Sequence, residues 1–376
     1  MSSAQVCFRP VRAQSKPSSI AQPNAKKRKR DPIKPNDSDC VLLEPVILNP
    51  EVVQLSEAVE NMIRRTLEGL ENGSGPVRTS EGTGGAYFMK DSSGEKIVSV
   101  FKPVDEEPNA VNNPNGLNAS SVGEGLKKGT KVGEGALREV AAYLLDKKGF
   151  AGVPPTFMVK CLSSGFNHPE EECKAKFGSL QKFAANNVGS CEDMGPGAFP
   201  VSEVHKISVL DIRMANADRH AGNILISKVE EDGHTVLIPI DHGYCLPESF
   251  EDCTFEWLYW PQARQPYSPE TLEYIETLDA EEDISILKLY GWDMSEQCAR
   301  TLRVSTMLLK KGAARGLSSF AIGSIMCREK LDNPSMLEEI LQEAEGSVNG
   351  SDEAALLDSL SRIIDRCIAR SSPQVG

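Results

Sequence analysis

The sequence predicts an α+β fold of two lobes, a smaller β-rich N-terminal lobe and a larger, mostly helical C-terminal lobe, with a cleft at their hinge. Three observations carry this. Short strand-like runs broken by turn residues crowd between Val77 and Pro103. One amphipathic helical stretch, one strand and a connector follow, reaching Ala184. Beyond Pro200 helix, loop and strand alternate, and beyond Thr271 the apolar spacing is mostly helical.

Composition allows such a fold. The chain has 376 residues, 40% of them hydrophobic, enough for two packed lobes plus tails. The formal net charge is -13. Nucleic-acid binding is therefore not expected, and contact with an anionic membrane would need a local basic patch. The ten cysteines form no CxxC pair, which argues against a zinc site or a disulfide framework and for reduced thiols in the cytoplasm or nucleus. No apolar run approaches about 18 residues, so no transmembrane segment is predicted.

Taken in order, residues 1–50 read as a disordered basic tail rich in Ser, Pro, Asn, Gln and Lys. The run "KKRKRDP" places five consecutive cations at Lys26 to Arg30, which suits a nuclear import signal or a solvated charge run. Residues 51–72 read as a helical lead-in, with Val53, Leu55, Val59, Met62, Ile63 and Leu67 near helical spacing. The N-lobe and hinge span 73–184. Two strand-like runs flank the turn Asp91-Ser92-Ser93-Gly94, and the second ends at Lys102. "EGALREVAAYLLDKKG" predicts a helix that Gly149 can terminate. "VPPTFMVKC" and "FGSLQKFA" read as strands. The C-lobe spans 185–346. A linker and an amphipathic helix fill 347–376, with Leu356, Leu357, Leu360, Ile363, Ile364 and Ile368 forming a stripe suited to packing on the large lobe or to recruiting a partner.

Four places carry chemistry. "SEGTGGAYF", Ser80 to Phe88, puts Gly82, Gly84 and Gly85 between strands, where bare backbone N–H groups can approach phosphate. It is neither a Walker A loop nor a dinucleotide fingerprint, and a plain glycine hairpin is the alternative. Lys102 at the next strand end can bridge phosphate oxygens. Glu139 lies beside the apolar face of the helix, where it could pair with that lysine. These three features arrive in the order a nucleotide kinase needs.

In "NADRHAGNIL" Asp218 precedes Asn223 by five residues, the spacing of a kinase catalytic loop. The acid can orient or accept a substrate hydroxyl proton, and the amide can help hold Mg²⁺. His220 is a second candidate for base or phosphate donor. Arg219 could orient the loop or neutralise charge. Val209, Leu210 and Ile212 before the loop, with Ile224, Leu225 and Ile226 after it, fasten it to buried elements. In "VLIPIDHGYCL" a buried-looking strand ends at Asp241, a carboxylate placed to hold Mg²⁺ on ATP phosphates. ATP and Mg²⁺ are thus the expected cofactors.

These segments, with "GEGALREVAAYLLD", "GSLQKF", "VLDIRMANADRHAGNIL" and "IPIDHGYCLP", resemble the catalytic domain of the phosphatidylinositol 3-/4-kinase superfamily, and within it the plant phosphatidylinositol 4-kinase gamma (type II-like) group. The likeness covers roughly residues 75 to 345. It implies a two-lobed protein-kinase-like fold with ATP in the cleft and phosphate transferred to the inositol 4-hydroxyl. It further implies that Ser80, Glu81, Gly82, Thr83, Gly84, Gly85 and Ala86 cover the phosphates. Lys102 would contact ATP with Glu139 as its partner. Gln181, Lys182, Phe183 and Ala184 would meet adenine through the hinge backbone. Residues 214–222 would be the catalytic loop and about 240–266 the activation loop. The cysteine-rich block that anchors animal type II enzymes is absent, so membrane contact would be peripheral.

Phosphatidylinositol in a membrane is the expected acceptor, with a Ser/Thr protein substrate as the alternative and a non-catalytic nucleotide-binding scaffold as a third reading. "FEWLYWPQARQPY", Phe255 to Tyr267, could meet a bilayer through its aromatics or pack internally. Arg300, Arg303, Lys310, Lys311 and Arg315 could attract an anionic headgroup or be a solvated helix face.

Overall fold

Alternating burial builds the first hairpin. In β3 (Tyr87–Lys90) Tyr87 and Met89 point inward, and in β4 (Ile97–Pro103) their partners Phe101 and Ser99 do. Gly94 closes the turn at φ 71°, and its N–H donates to the Asp91 carbonyl at 2.9 Å. The computed structural model describes residues 41–371 except 118, 121, 169–172, 229–232 and 349–351. The cationic run Lys26–Arg30 lies outside the described residues.

Among the described residues, six strands form the antiparallel sheet of the N-lobe. Four join β3 and β4: β1 (Leu42–Pro45), β2 (Val77–Arg78), β5 (Thr156–Leu162) and β6 (Lys176–Lys182). Their order is β1-β5-β6-β4-β3-β2. The tail expected over residues 1–50 therefore ends earlier, because Leu42–Pro45 pairs with Val159–Leu162 and buries Leu43. Nor is α1 (Glu57–Glu71) a mere lead-in. It buries Val59, Met62, Ile63 and Leu70 in one core with Tyr87, Met89, Phe101, Phe157 and Leu180. Gly69 permits the contact: a Cβ there would lie 1.9 Å from the Lys90 carbonyl oxygen.

Against β5 and β6 of this sheet packs α2 (Gly135–Leu145). It stops at Leu145 rather than at Gly149, because the Asp146 carboxylate accepts the N–H groups of Ala151 (2.7 Å) and Val153 (3.0 Å) and turns the chain. The C-lobe is built on α3 (Val201–Arg213), which is buried along most of its length. Three strands, β7 (Asn187–Ser190), β8 (Ile224–Lys228) and β9 (Thr235–Pro239), form a small antiparallel sheet beside it. The helices α4 (Pro269–Glu276), α5 (Ala280–Leu289), α6 (Glu296–Ala314), α7 (Ser319–Met326), α8 (Met336–Ser347) and α9 (Glu353–Ser371) complete the lobe.

The stripe on α9 packs. Leu360, Ile364 and Ile368 are fully buried in the C-lobe core, each adding roughly 1.5–3 kcal/mol of burial. Of the two readings of the aromatic run, internal packing holds, and the basic patch is not free. Phe255, Trp257, Trp260 and Tyr267 are core residues, and of that aromatic run Tyr259 alone is largely exposed. The large lobe needs their area more than a bilayer does, and a 3-10 turn aims them inward. The cations on α6 and at its end are already engaged. Arg300 pairs with Glu353, Arg303 with Glu281, and Lys311 and Arg315 with Asp365, while Lys310 donates to the Glu276 and Leu278 carbonyls.

Candidate active site

The two lobes share a cavity of about 250 Å³, open to solvent. Its roof is the loop between β2 and β3, from Glu81 through Ala86. This loop lies low because Gly85 has no side chain. A Cβ there would fall 2.1 Å from Oε2 of Glu106, a buried carboxylate held by the Tyr87 hydroxyl at 2.8 Å and by Lys176 at 3.0 Å. The Gly85 N–H donates to the Glu106 carbonyl at 2.8 Å. Ser80 is exposed and does not line the cavity.

Lys102 enters from the end of β4 and meets the Glu139 carboxylate on α2. Its Nζ also lies 3.1 Å from Oδ1 of Asp241, which follows β9. Burial alone would lower the lysine's pKa, but Asp241 and Glu139 outweigh it and hold the group charged above the ordinary lysine value. Glu139 is the mirror case. Burial would raise its pKa, but Lys102 and the hydrogen bond from His242 hold it well below the carboxylate range. The His242 backbone N–H donates to Oε2 of Glu139 at 3.0 Å, and its ring Nδ1 lies 3.5 Å from the same oxygen. Asp241 itself sits at φ 56°, a left-handed conformation that Asp tolerates better than most side chains, and lines the cavity.

The loop from Met214 to Asn223 brings Asp218 and His220 to the same cavity. Asp218 points into it, while Arg219 turns beneath it. The guanidinium is fully buried, with Nε 2.9 and 3.0 Å from the two carboxylate oxygens of Asp211. Its second arm binds the carbonyls of Asn223 (2.7 Å) and Ile240 (2.8 Å). Arg219 thus braces the loop from beneath and does not line the cavity. Its partner Asp211 also accepts from Trp257 Nε1 at 3.0 Å and Asn216 Nδ2 at 3.1 Å. The motif reading missed Asp211. The signal was an acid between Leu210 and Ile212, on a helix otherwise bound for the core.

Asn223 is buried and does not line the cavity; its Nδ2 donates to the Asp218 carbonyl at 3.0 Å and steadies the loop. His220 is half-exposed, and its Nδ1 accepts the Gly222 N–H at 3.2 Å. Gln181, Lys182, Phe183 and Ala184 do not line the cavity either. β6 is an interior strand, so its groups are occupied. The Lys182 N–H donates to the Pro155 carbonyl (2.8 Å) and the Phe183 N–H to that of Val98 (3.0 Å). Neither N–H is available for the expected adenine contact. The Gln181 amide binds Thr156 Oγ1 at 2.9 Å.

Other lining residues carried no motif. The Glu107 carboxylate accepts the N–H groups of Gly133 (2.7 Å) and Ala136 (3.0 Å) at the start of α2, and burial raises its pKa despite them. Lys131 and Tyr244 line the wall. Chemically, the cavity offers a lysine fixed between two carboxylates, a third carboxylate on a braced loop, and a glycine roof. That is a set suited to gripping a polyphosphate and orienting a hydroxyl against it.

Residues 82–322 match the family model described as phosphatidylinositol 3- and 4-kinase. Phosphatidylinositol 4-kinase gamma 4 of Arabidopsis thaliana is 58% identical over 376 residues, covering 96% of this chain and 66% of its own length. Phosphatidylinositol 4-kinase gamma 3 of the same plant is 60% identical over 340 residues, covering 86% of this chain and 59% of its own. Phosphatidylinositol 4-kinase gamma 4 of Oryza sativa subsp. japonica is 60% identical over 334 residues, covering 86% and 58%. The chain spans roughly three-fifths of the length of these curated relatives. The matched region holds the glycine roof, Lys102, Glu139, Asp218 and Asp241, and on that match the chain belongs to the phosphatidylinositol 3- and 4-kinase family.

Proposed function

We propose that the chain transfers the terminal phosphoryl group of ATP to the 4-hydroxyl of phosphatidylinositol, giving phosphatidylinositol 4-phosphate. The observation that carries this is Lys102, paired with Glu139 and Asp241 in the cavity that Asp218 also lines. The relatives, named as phosphatidylinositol 4-kinases, support the lipid acceptor over a protein one.

In this reading the roof from Ser80 to Ala86 covers the phosphates, with Glu81 to Ala86 facing them, and Lys102 holds their oxygens. Asp218 orients the acceptor hydroxyl and takes its proton. The hydroxyl oxygen bonds to the terminal phosphorus as the bond to the ADP oxygen breaks. Arg219 and Asn223 keep Asp218 in place from below. His220 sits at the cavity edge, where it can meet the headgroup. The oxygen donors suit a hard divalent cation such as Mg²⁺: Asp241 would hold it and it would neutralise phosphate charge, whereas Asn223, expected as a second ligand, does not line the cavity and its amide is spent on the Asp218 carbonyl.

Among the described residues no helix is long and apolar enough to cross a membrane. The cysteines there form no disulfide, which fits the reducing cytoplasm or nucleus. The test is purified protein with radiolabelled ATP, Mg²⁺ and phosphatidylinositol vesicles, followed by identification of the labelled product. Label on the 4-position is the expected result. Label on another ring position, or on protein alone, refutes the proposal.

A further inference from the structure

Phosphoryl transfer develops charge on the migrating group, and cations near the acceptor hydroxyl stabilise it. The loop carrying Asp218 supplies none. Arg219 is turned under and spent on Asp211, and the Nδ1 of His220 is tied to the Gly222 N–H. A cation reaches this place from elsewhere in the chain. Lys127 Nζ lies 2.9 Å from Oδ1 of Asp218.

Lys127 stands on a hairpin between β4 and α2. The Gly125 N–H donates to the Thr130 carbonyl (2.8 Å), the Val132 N–H to that of Gly123 (2.9 Å), and the Thr130 N–H to that of Lys127 (3.1 Å). Its tip is seated on the C-lobe segment Glu248–Asp252. The Glu248 N–H donates to the Gly129 carbonyl at 2.7 Å. The Lys128 N–H donates to Oδ2 of Asp252 at 2.7 Å, and Lys131 pairs with Glu248 at 2.6 Å. Gly129 makes the seat possible. It adopts φ 72°, and a Cβ there would lie 2.6 Å from the Ser249 nitrogen and 2.7 Å from that of Glu248. An N-lobe lysine is thus fixed in the frame of the C-lobe, beside Asp218.

The arrangement parallels Lys102 on Asp241, where a lysine also rests on a carboxylate of the cavity. We propose that Lys127 is a phosphate-contacting residue, delivered by the hairpin, whose ammonium binds the migrating phosphoryl group as that group passes to the hydroxyl oriented by Asp218. This rests on the function proposed above for the same cavity. Of the neighbouring cations, Lys102 is on Asp241 and Glu139 and Lys131 is on Glu248, so Lys127 is the lysine that rests on Asp218 itself.

The test measures kcat and the KM for ATP in full-length Lys127→Ala, Lys127→Arg, Gly129→Ala and Lys128→Ala, with thermal unfolding as a check on folding. Each is assayed with lipid vesicles and with water as acceptor. ATP hydrolysis reads Lys127 whether or not the lipid is the true acceptor, and wild-type product identity separately tests the acceptor. Lys127→Ala should lower kcat on the order of 10²-fold in both assays. The KM for ATP should move little, since the contact belongs to the transition state. Arginine should restore part of the loss. Gly129→Ala should lower kcat by unseating the hairpin, and Lys128→Ala should act as wild type. An unchanged kcat in Lys127→Ala overturns the proposal. So does a raised one, which would mean that the lysine merely masks Asp218.

Discussion

Lys102 and Asp241 lie 3.1 Å apart across the cleft, one on the N-lobe sheet and one beyond the last strand of the C-lobe. With Glu139 as the lysine's other partner, this contact joins three segments far apart in sequence. Lys102→Met should lower kcat/KM on the order of 10²–10³-fold. It should also cost roughly 3–5 kcal/mol, because Glu139 is left buried without its cation. Asp241→Asn separates the two effects. Asp241 is half-exposed, so turnover should collapse while the urea midpoint barely moves.

Gly85→Ala tests the roof. The added methyl meets Glu106, which cannot yield because Tyr87 and Lys176 hold it. The loop must lift, at a cost of about 1–3 kcal/mol. ATP affinity should fall by roughly tenfold or more, and titration with a fluorescent nucleotide would show it. Unchanged affinity would mean that the roof does not contact the nucleotide.

Asp211→Ala removes the brace under the catalytic loop. Arg219 and the Trp257 indole N–H lose their acceptor in a fully buried site, so the expected destabilisation is about 3–5 kcal/mol by chemical denaturation. The companion Arg219→Met should lose turnover although it touches no part of the cavity. Wild-type turnover in Arg219→Met would remove the bracing role.

His205 supplies a pH test. Burial lowers its pKa, and its Nε2 lies 3.2 Å from the Gln262 carbonyl. The unfolded chain therefore binds more protons near and below the ordinary histidine value of about 6.5, so stability falls as pH drops from 7 to 5. His242, buried and also lowered, adds to the same slope. His205→Gln keeps a donor without the titration. Its stability relative to wild type should improve steadily over that interval. A constant difference between the two at every pH would refute the assignment.

Much of the site was legible because its residues occur at fixed local spacing. Asp218, Asp241, Lys102 and the Glu81–Ala86 roof all reach one cavity. Strand alternation and loop spacing are local properties, readable without knowing what packs on them. The two roles left open for Arg219 could not be separated, because the same motif letters serve a residue facing the cavity and one folded under it. Only the buried carboxylate of Asp211 tells them apart.

The sequence by itself determined the order of elements, the two-lobed division and the reactive loop, since these follow from periodicity, turn residues and short-range spacing. The tertiary structure alone decided what depends on distant partners. Leu42–Pro45 is a strand because Val159–Leu162 lies beside it. The tryptophans face inward because the large lobe covers them. Lys127 meets Asp218 because a hairpin tip finds its seat more than a hundred residues further along the chain. Such contacts are set by packing and by pairing of buried charge, which leave no periodic trace in the segments that make them.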